Sequence, residues 1–434
     1  MQLSFVGEIT GRRLTPCRIT LGGSRMASIH IQPHRDTFAP AVDRRQLLGA
    51  VHEALPSVGA RAEAAEAART VPRENVDCLR KTGLFRTVQP AYFGGLELDF
   101  DVLAEAIQDI AGACASTAWV CGLQAAHQWL VASFCIEAQH DVWDGNPDAL
   151  VCGSYAPVAR AVAVAGGYRL TGRWSFASGC DVSDWAVCAA FIPSEQPDAP
   201  AKPAFLLVPA ADYHIDDDWY VTGLAGTGSK SLLLADVFVP AHRLLYFAST
   251  TSGDTPGRKH YSHNPTFGVP MLTNIASCLA SVSVGAAAGA LQHFIGVTGQ
   301  RITRGAVAGG QSRMAEFPTI QIRVAEAAAA VDAAREILLR DLRRRAATTR
   351  AGAQVSVEER IESRRGQAYA VKLAVQASEA LNAATGGLGL STANPVQRAW
   401  RDTNAVGRHI SFNWDAVGSM YGQLALGLEP KGQY

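Results

Sequence analysis

Residues 154–185 read SYAPVARAVAVAGGYRLTGRWSFASGCDVSDW, and their period decides the fold. Apolar and polar residues alternate along AVAVAGGYRLTGRWSFAS, as in a strand with one buried face. Gly166–Gly167 breaks the alternation where a hairpin turn is expected. DWAVCAAFI, PAFLLVPA and SLLLADVFVP follow as further strands. Residues 151–250 are therefore expected to form a β domain.

On both sides of it the period becomes helical. Residues 43–145 carry apolar residues at helical spacing, with Pro56 expected to interrupt the first helix and Gly83 to end a later one. Beyond 268 four long helices are expected, near 268–300, 316–348, 356–384 and 395–423. Ser356 followed by Glu358 and Glu359 marks the start of the third. Reading 395–423 as one helix puts Asn413 on the face of His409, four residues earlier. The expected fold is α+β: an N-terminal helical domain over 26–150, a central β-barrel or sandwich over 151–250, and a C-terminal four-helix bundle over 251–434. Residues 1–25 lack the apolar block of a secretion signal. They are expected to be a disordered extension or a misassigned start, with Met26 beginning the protein proper.

Composition narrows the function. The formal net charge is zero, so no basic field attracts nucleic acid. Only 18% of the 434 residues are charged, which favours extensive burial and an oligomer. Nine cysteines with no C-x-x-C point to a reducing, cytoplasmic setting rather than a disulfide framework. No metal-binding spacing is present, so no metal is expected. The longest apolar stretch, about 273–291, is rich in Ala, Ser and Gly and reads as a packed helix rather than a membrane span. GLAGTGSK lacks the P-loop spacing, and a plain turn between strands accounts for it equally well.

The helix–β–helix order resembles the acyl-CoA dehydrogenase fold. The words QPAYFGGL (89–96), STAWV (116–120), the opening stretch, WYVTGLAGTGSKSLLLADVFVPAHR (219–243) and QRAWRDTNAVGRH (397–409) resemble one branch of it. That branch is the two-component, reduced-flavin-dependent aromatic monooxygenases. The likeness is greatest to oxygenases that 4-hydroxylate a phenolic seco-steroid; those acting on 4-hydroxyphenylacetate and chlorophenols are related. The resemblance implies FADH2 or FMNH2 from a separate NAD(P)H-dependent reductase, with dioxygen as cosubstrate. It also implies a C4a-hydroperoxyflavin, a small aromatic substrate and a homotetramer, with no membrane involved.

It also implies roles for residues. Ser178 in WSFASG becomes the partner of flavin N5, with Trp174 and Phe176 beside the isoalloxazine. Ser154 in GSYAP meets the pyrimidine edge, and Thr227 and Ser229 belong to the cofactor loop. Arg304 meets the phosphate region, although Val307 stands where the family has Phe. His409 takes the phenol proton or hydrogen-bonds the substrate oxygen, making the ring richer in electrons. His127 and Trp119 line the substrate slot, and Asn413 and Asp415 support His409. Without the resemblance each has a plain alternative: an incidental serine after a strand, a capped turn, a satisfied core histidine. Arg401 and Asp402 are expected to anchor the last helix. An acyl-CoA dehydrogenase would need a carboxylate base, and Glu379 stands in the wrong word. A flavin monooxygenase acting on an indole, nitrogen or sulfur centre would keep the cofactor and change only the slot. A flavin-binding protein without activity is the third reading.

Overall fold

The alternation of WAVCAAFI and AFLLV is apolar on both faces, and each face meets a different core. In the computed structural model, which describes residues 42–303 and 312–434 except 195, 197 and 198, these runs lie in a sheet buried on both sides. The expected extension at 1–25 and Arg304 lie outside the described residues.

Among the described residues, six α-helices precede the sheet: α1 (Arg44–Gly59), α2 (Ala62–Ala68), α3 (Arg73–Lys81), α4 (Phe100–Ala113), α5 (Ala115–Ala132) and α6 (Ile136–Trp143). Pro56 lies inside α1 rather than ending it. It sits in the last turn, where its missing N–H removes only one bond of the helix. Gly83 follows α3 in the left-handed region (φ +86°), as its place in the sequence suggests.

Eight strands follow: β1 (Val151–Arg160), β2 (Val162–Val164), β3 (Gly167–Ala177), β4 (Trp185–Ile192), β5 (Lys202–Pro209), β6 (His214–Asp216), β7 (Lys230–Pro240) and β8 (Leu244–Tyr246). They form two four-stranded sheets, ordered β1-β4-β5-β8 and β2-β3-β7-β6. Only β1 and β4 run parallel within these sheets. In the first sheet Ala186, Cys188, Leu206 and Val208 face the second sheet. Val187, Ala189, Phe205 and Leu207 face the helices. Successive side chains point to opposite faces, so one strand serves two cores.

Short helices α7 (Phe247–Ser252) and α8 (Pro256–His260) lead to α9 (Met271–Thr298). A two-residue ladder pairs β9 (Ile302–Thr303) with β10 (Ser312–Arg313). Next come α10 (Pro318–Arg350), α11 (Val357–Ala384), α12 (Pro395–Gly407) and α13 (Trp414–Ala425). Helices α9 to α12 pack as the expected bundle. The Ser356 capping box opens α11. Helix α9 has the length and mean hydropathy (1.5) of a membrane span, but 89% of that window is buried against the other helices. Its Gly285 lies against α4 so closely that a Cβ there would sit 2.1 Å from the Gln108 carbonyl oxygen.

The stretch 395–423 departs from expectation. It is two helices separated by a 3-10 turn at Ile410–Phe412. His409 caps that turn rather than standing on a helix, and Asn413 caps α13 by accepting from the Ala416 N–H (3.1 Å). Asn413 and Asp415 are exposed at the start of α13. The shared-face argument for Asn413 fails because the helix it assumed is broken.

Candidate active site

One side of α5 docks on the β domain through three polar residues. The Trp119 Nε1–H donates to Ser178 Oγ (2.9 Å). Gln124 Nε2 donates to Ser183 Oγ (3.0 Å). His127 Nδ1 meets the Val151 carbonyl (2.6 Å). Small residues elsewhere on α5 let it approach closely; a Cβ on Gly122 would lie 2.8 Å from Ile107.

Ser178 stands at the end of β3, just past a bulge where pairing with β7 shifts between Trp174 and Ala177. Bulges re-aim side chains beside functional sites. Phe176 within it has φ +65° and is 70% exposed. A bulky residue in the left-handed region costs about 1–2 kcal/mol. Its ring meets Trp219 edge-on at 5.9 Å. Trp174, two residues earlier, points the other way. It is fully buried between the sheets, with its N–H on the Ala189 carbonyl (2.7 Å), so its job is core packing rather than cofactor contact.

From Ser178 a row of hydroxyls runs into the loop before β7. Ser178 Oγ lies 2.7 Å from Ser229 Oγ, and Ser229 Oγ lies 2.7 Å from Thr227 Oγ1. Thr227 Oγ1 donates to the Leu224 carbonyl (2.8 Å). Leu224 is itself left-handed (φ +55°), and its N–H donates to Asp402 Oδ1 on α12 (2.6 Å). Burial pushes the Asp402 carboxyl up to about 6, against the opposing pull of the Leu224 N–H and Arg401. Arg401 does not pair with Asp402. It binds Glu66 and the Thr222 carbonyl (2.7 Å), while Arg398 binds Glu66 at 2.9 Å. The anchoring expected of Arg401 and Asp402 is thus directed at α2 and the loop 222–229.

His409 stands beside this row, its ring edge-on to Trp119 at 5.8 Å and tilted to Phe412 at 5.6 Å. Its Nδ1 accepts from the Ser411 N–H (3.2 Å). Burial, and then the charge of Arg364, push His409 down to about 4. The ring is therefore neutral at pH 7, and with Nδ1 accepting, its proton sits on Nε2. Among the described residues nothing accepts that proton. Of the two roles expected of it, the resting imidazole is arranged for the second, as a donor toward an oxygen.

Arg364 was not anticipated. It is buried, donates to the Ser411 carbonyl (3.0 Å) and to Gln367 Oε1 (2.9 Å), and leaves Nε unpaired. Burial pushes it down to about 10. The sequence held a signal: Ile361, Arg364, Ala368 and Val371 fall on one helical stripe, and an arginine in such a stripe is out of place.

The hydrogen bonds of His127 and Ser154 lead to other partners. His127 Nδ1–H donates to Val151, so Nε2 accepts from the Tyr155 hydroxyl at 2.5 Å. Burial holds His127 neutral, at about 4, and pushes the Tyr155 phenol up. Ser154 Oγ donates to the Ser175 carbonyl (2.8 Å), just before β1 loses register with β4. Among the described residues, no cluster of three or more His, Cys, Asp or Glu could hold a metal.

A flavin suits what is present. The strained, exposed Phe176 ring supplies an apolar surface, and Ser178, two residues further on, supplies a buried hydroxyl. The Gln124 Oε1 beside Gly179 is buried and unpaired.

Residues 43–143 match the acyl-CoA dehydrogenase N-terminal domain family, and 277–414 the acyl-CoA dehydrogenase C-terminal domain family. The chain is 57% identical over 393 residues to the FADH(2)-dependent resorcinol hydroxylase oxygenase component of Rhizobium sp. (strain MTP-10005), covering 90% of this chain and 96% of that protein. It is 35% identical to the flavin-dependent monooxygenase oxygenase subunit HsaA of Rhodococcus jostii (strain RHA1), covering 86% and 96%. The crystal structure of 3-HSA hydroxylase from Rhodococcus sp. RHA1 superposes with a TM-score of 0.84 at 33% identity, over 90% of this chain and all of that one. The chain therefore belongs to the oxygenase components of two-component, flavin-dependent aromatic hydroxylases built on the acyl-CoA dehydrogenase fold.

Proposed function

We propose that this oxygenase hydroxylates a small dihydroxybenzene of the resorcinol type, with FADH2 supplied by a separate NAD(P)H-dependent reductase. The coarser activity, reduced-flavin- and O2-dependent hydroxylation of an aromatic ring, follows from its family. The finer reading rests on one observation: 57% identity along nearly the whole length of the resorcinol hydroxylase, against 35% for the HsaA subunit. It favours a single ring over the phenolic seco-steroid suggested by the sequence words.

When bound, reduced flavin supplies the electrons that activate dioxygen for transfer of one oxygen atom to the ring. The chain's own residues supply position and electrostatics. Ser178 would accept from flavin N5–H, Phe176 would cover the ring, and Ser154 would serve the pyrimidine edge. His409 Nε2–H donates to the substrate oxygen, which favours its ionised form and raises the electron density of the ring. Trp119 and Phe412 pack their rings against His409. His127 holds Tyr155, and together they form a second polar point for the substrate. We read the protein as a cytoplasmic homotetramer. Leu390, Ile410 and Leu426, each at least 80% exposed and all in the C-terminal part, support a subunit contact there.

The test supplies FADH2 and oxygen with resorcinol, 4-hydroxyphenylacetate or a phenolic seco-steroid, and measures hydroxylated product per oxygen consumed. Resorcinol is expected to couple best. Tighter coupling with the steroid would overturn the substrate reading, and peroxide alone with every phenol would overturn the proposed residue roles as well.

A further inference from the structure

The hydroxyl row at Ser178 has only one consistent arrangement of protons. It contains three close oxygen–oxygen contacts: Ser178 to Ser229, Ser229 to Thr227, and Thr227 to the Leu224 carbonyl. Three hydroxyl protons are available for them. A carbonyl only accepts, so Thr227 must donate to Leu224. Ser229 must then donate to Thr227, and Ser178 to Ser229, or a pair of oxygens 2.7 Å apart would face each other without a proton. At the other end, the Trp119 indole, which only donates, occupies one lone pair of Ser178 (2.9 Å). Ser178 is left with a single free valence, and it is an acceptor.

The Leu224 carbonyl is a firm end for the row. It also receives the Thr227 N–H (3.1 Å) and the Trp219 indole N–H (3.2 Å). Asp402 holds the peptide of Leu224 from the other side. All four residues of the row, Ser178, Ser229, Thr227 and Leu224, are buried, so water does not readily reset its direction.

We infer that Ser229 and Thr227 are positioning residues that fix the Ser178 hydroxyl as an acceptor and so make the site select dihydroflavin over oxidised flavin. The inference rests on the reading that Ser178 meets flavin N5. A reduced flavin carries a proton on N5 and donates; an oxidised flavin has a lone pair there and would face the Ser178 lone pair. Product flavin, once oxidised, meets a site that no longer matches it and leaves for the reductase.

The test is anaerobic titration of the apo-protein with reduced and with oxidised FAD, reading the ratio of the two dissociation constants. The unaltered protein is expected to bind reduced FAD more tightly. Ser229→Ala releases the Ser178 proton to turn toward oxidised N5, and the ratio should fall about tenfold, one neutral hydrogen bond's worth. Thr227→Val, nearly isosteric, removes the terminal donor and should lower the ratio in the same direction, which guards against a folding failure in the first variant. Ser178→Ala separates the two layers of reasoning. If it changes flavin affinity while Ser229→Ala and Thr227→Val leave the ratio untouched, the row does not set the polarity. If it changes neither affinity, Ser178 does not meet the flavin and the inference falls with that reading.

Discussion

Replacing Asp402 by Asn should make the protein more stable at neutral pH, although it removes a buried charge that looks structural. Asp402 is 5% exposed, and its one hydrogen-bond partner from the loop is the Leu224 N–H at 2.6 Å. Asn keeps an oxygen for that bond. Burial raises the carboxyl to about 6 from an ordinary 3.8. The folded state therefore binds its proton more readily than the unfolded state does. The sign follows: below about pH 4 both states are protonated and the group costs nothing. As pH rises through the window from about 4 to 6 the unfolded chain ionises first, and stability is lost. Above about pH 6 the full penalty applies, about 3 kcal/mol. For a chain of this length, that corresponds to a rise in melting temperature of about 3 °C for Asp402→Asn at pH 7.5. The gain should halve near pH 5 and vanish near pH 4. Scanning calorimetry of both proteins across this range reads the difference directly. A variant less stable than the parent at pH 7.5, or an offset that does not change with pH, would refute the reasoning. It would mean that the carboxylate is held ionised by Arg401 and Arg398.

Three other outcomes follow from the geometry. His409→Ala should lower hydroxylated product per oxygen consumed about 100-fold, and the parent's pH profile should show no ionisation of His409 above about pH 5, because burial and Arg364 keep the ring neutral there; a limb near pH 6.5 that disappears in the variant would contradict this. Phe176→Gly relieves the left-handed strain at φ +65° and should stabilise the apo-protein by about 1 kcal/mol while weakening flavin binding. Thermal unfolding and flavin titration read the two effects, and a loss of stability would count against stored strain. Gly285→Ala forces a Cβ to 2.1 Å from the Gln108 carbonyl and should cost about 1–3 kcal/mol in a melting assay, with α4 and α9 pushed apart.

Much of the fold was legible because its periods are strong. Alternation through 161–178 and the turn at Gly166–Gly167 are local properties of the chain, and β2 and β3 pair across that turn as read. The capping box at Ser356 is likewise local, since Ser356 and Glu359 satisfy each other's backbone groups within one turn. Ser178, Ser229 and Thr227 could be named from their words alone. What the words do not contain is who meets whom. The bond from Trp119 to Ser178 spans 59 residues, and that from Leu224 to Asp402 spans 178. Only packing α5 and α12 against the β domain creates them. The resemblance set Trp174 and Phe176 together beside the cofactor, but the bulge after Trp174 leaves the first in the core and turns the second outward.

The stretch 395–423 shows the division most clearly. The word QRAWRDTNAVGRH (397–409) already singled out His409, and the histidine itself is a matter of sequence. Its chemistry is not. Helical spacing predicted one continuous helix, whereas the chain breaks into a 3-10 turn whose Ser411 N–H takes Nδ1 and whose carbonyl is held by Arg364. Sequence determines which groups can carry a proton. The folded arrangement determines which nitrogen carries it, because that depends on donors, burial and charge brought from elements distant along the chain.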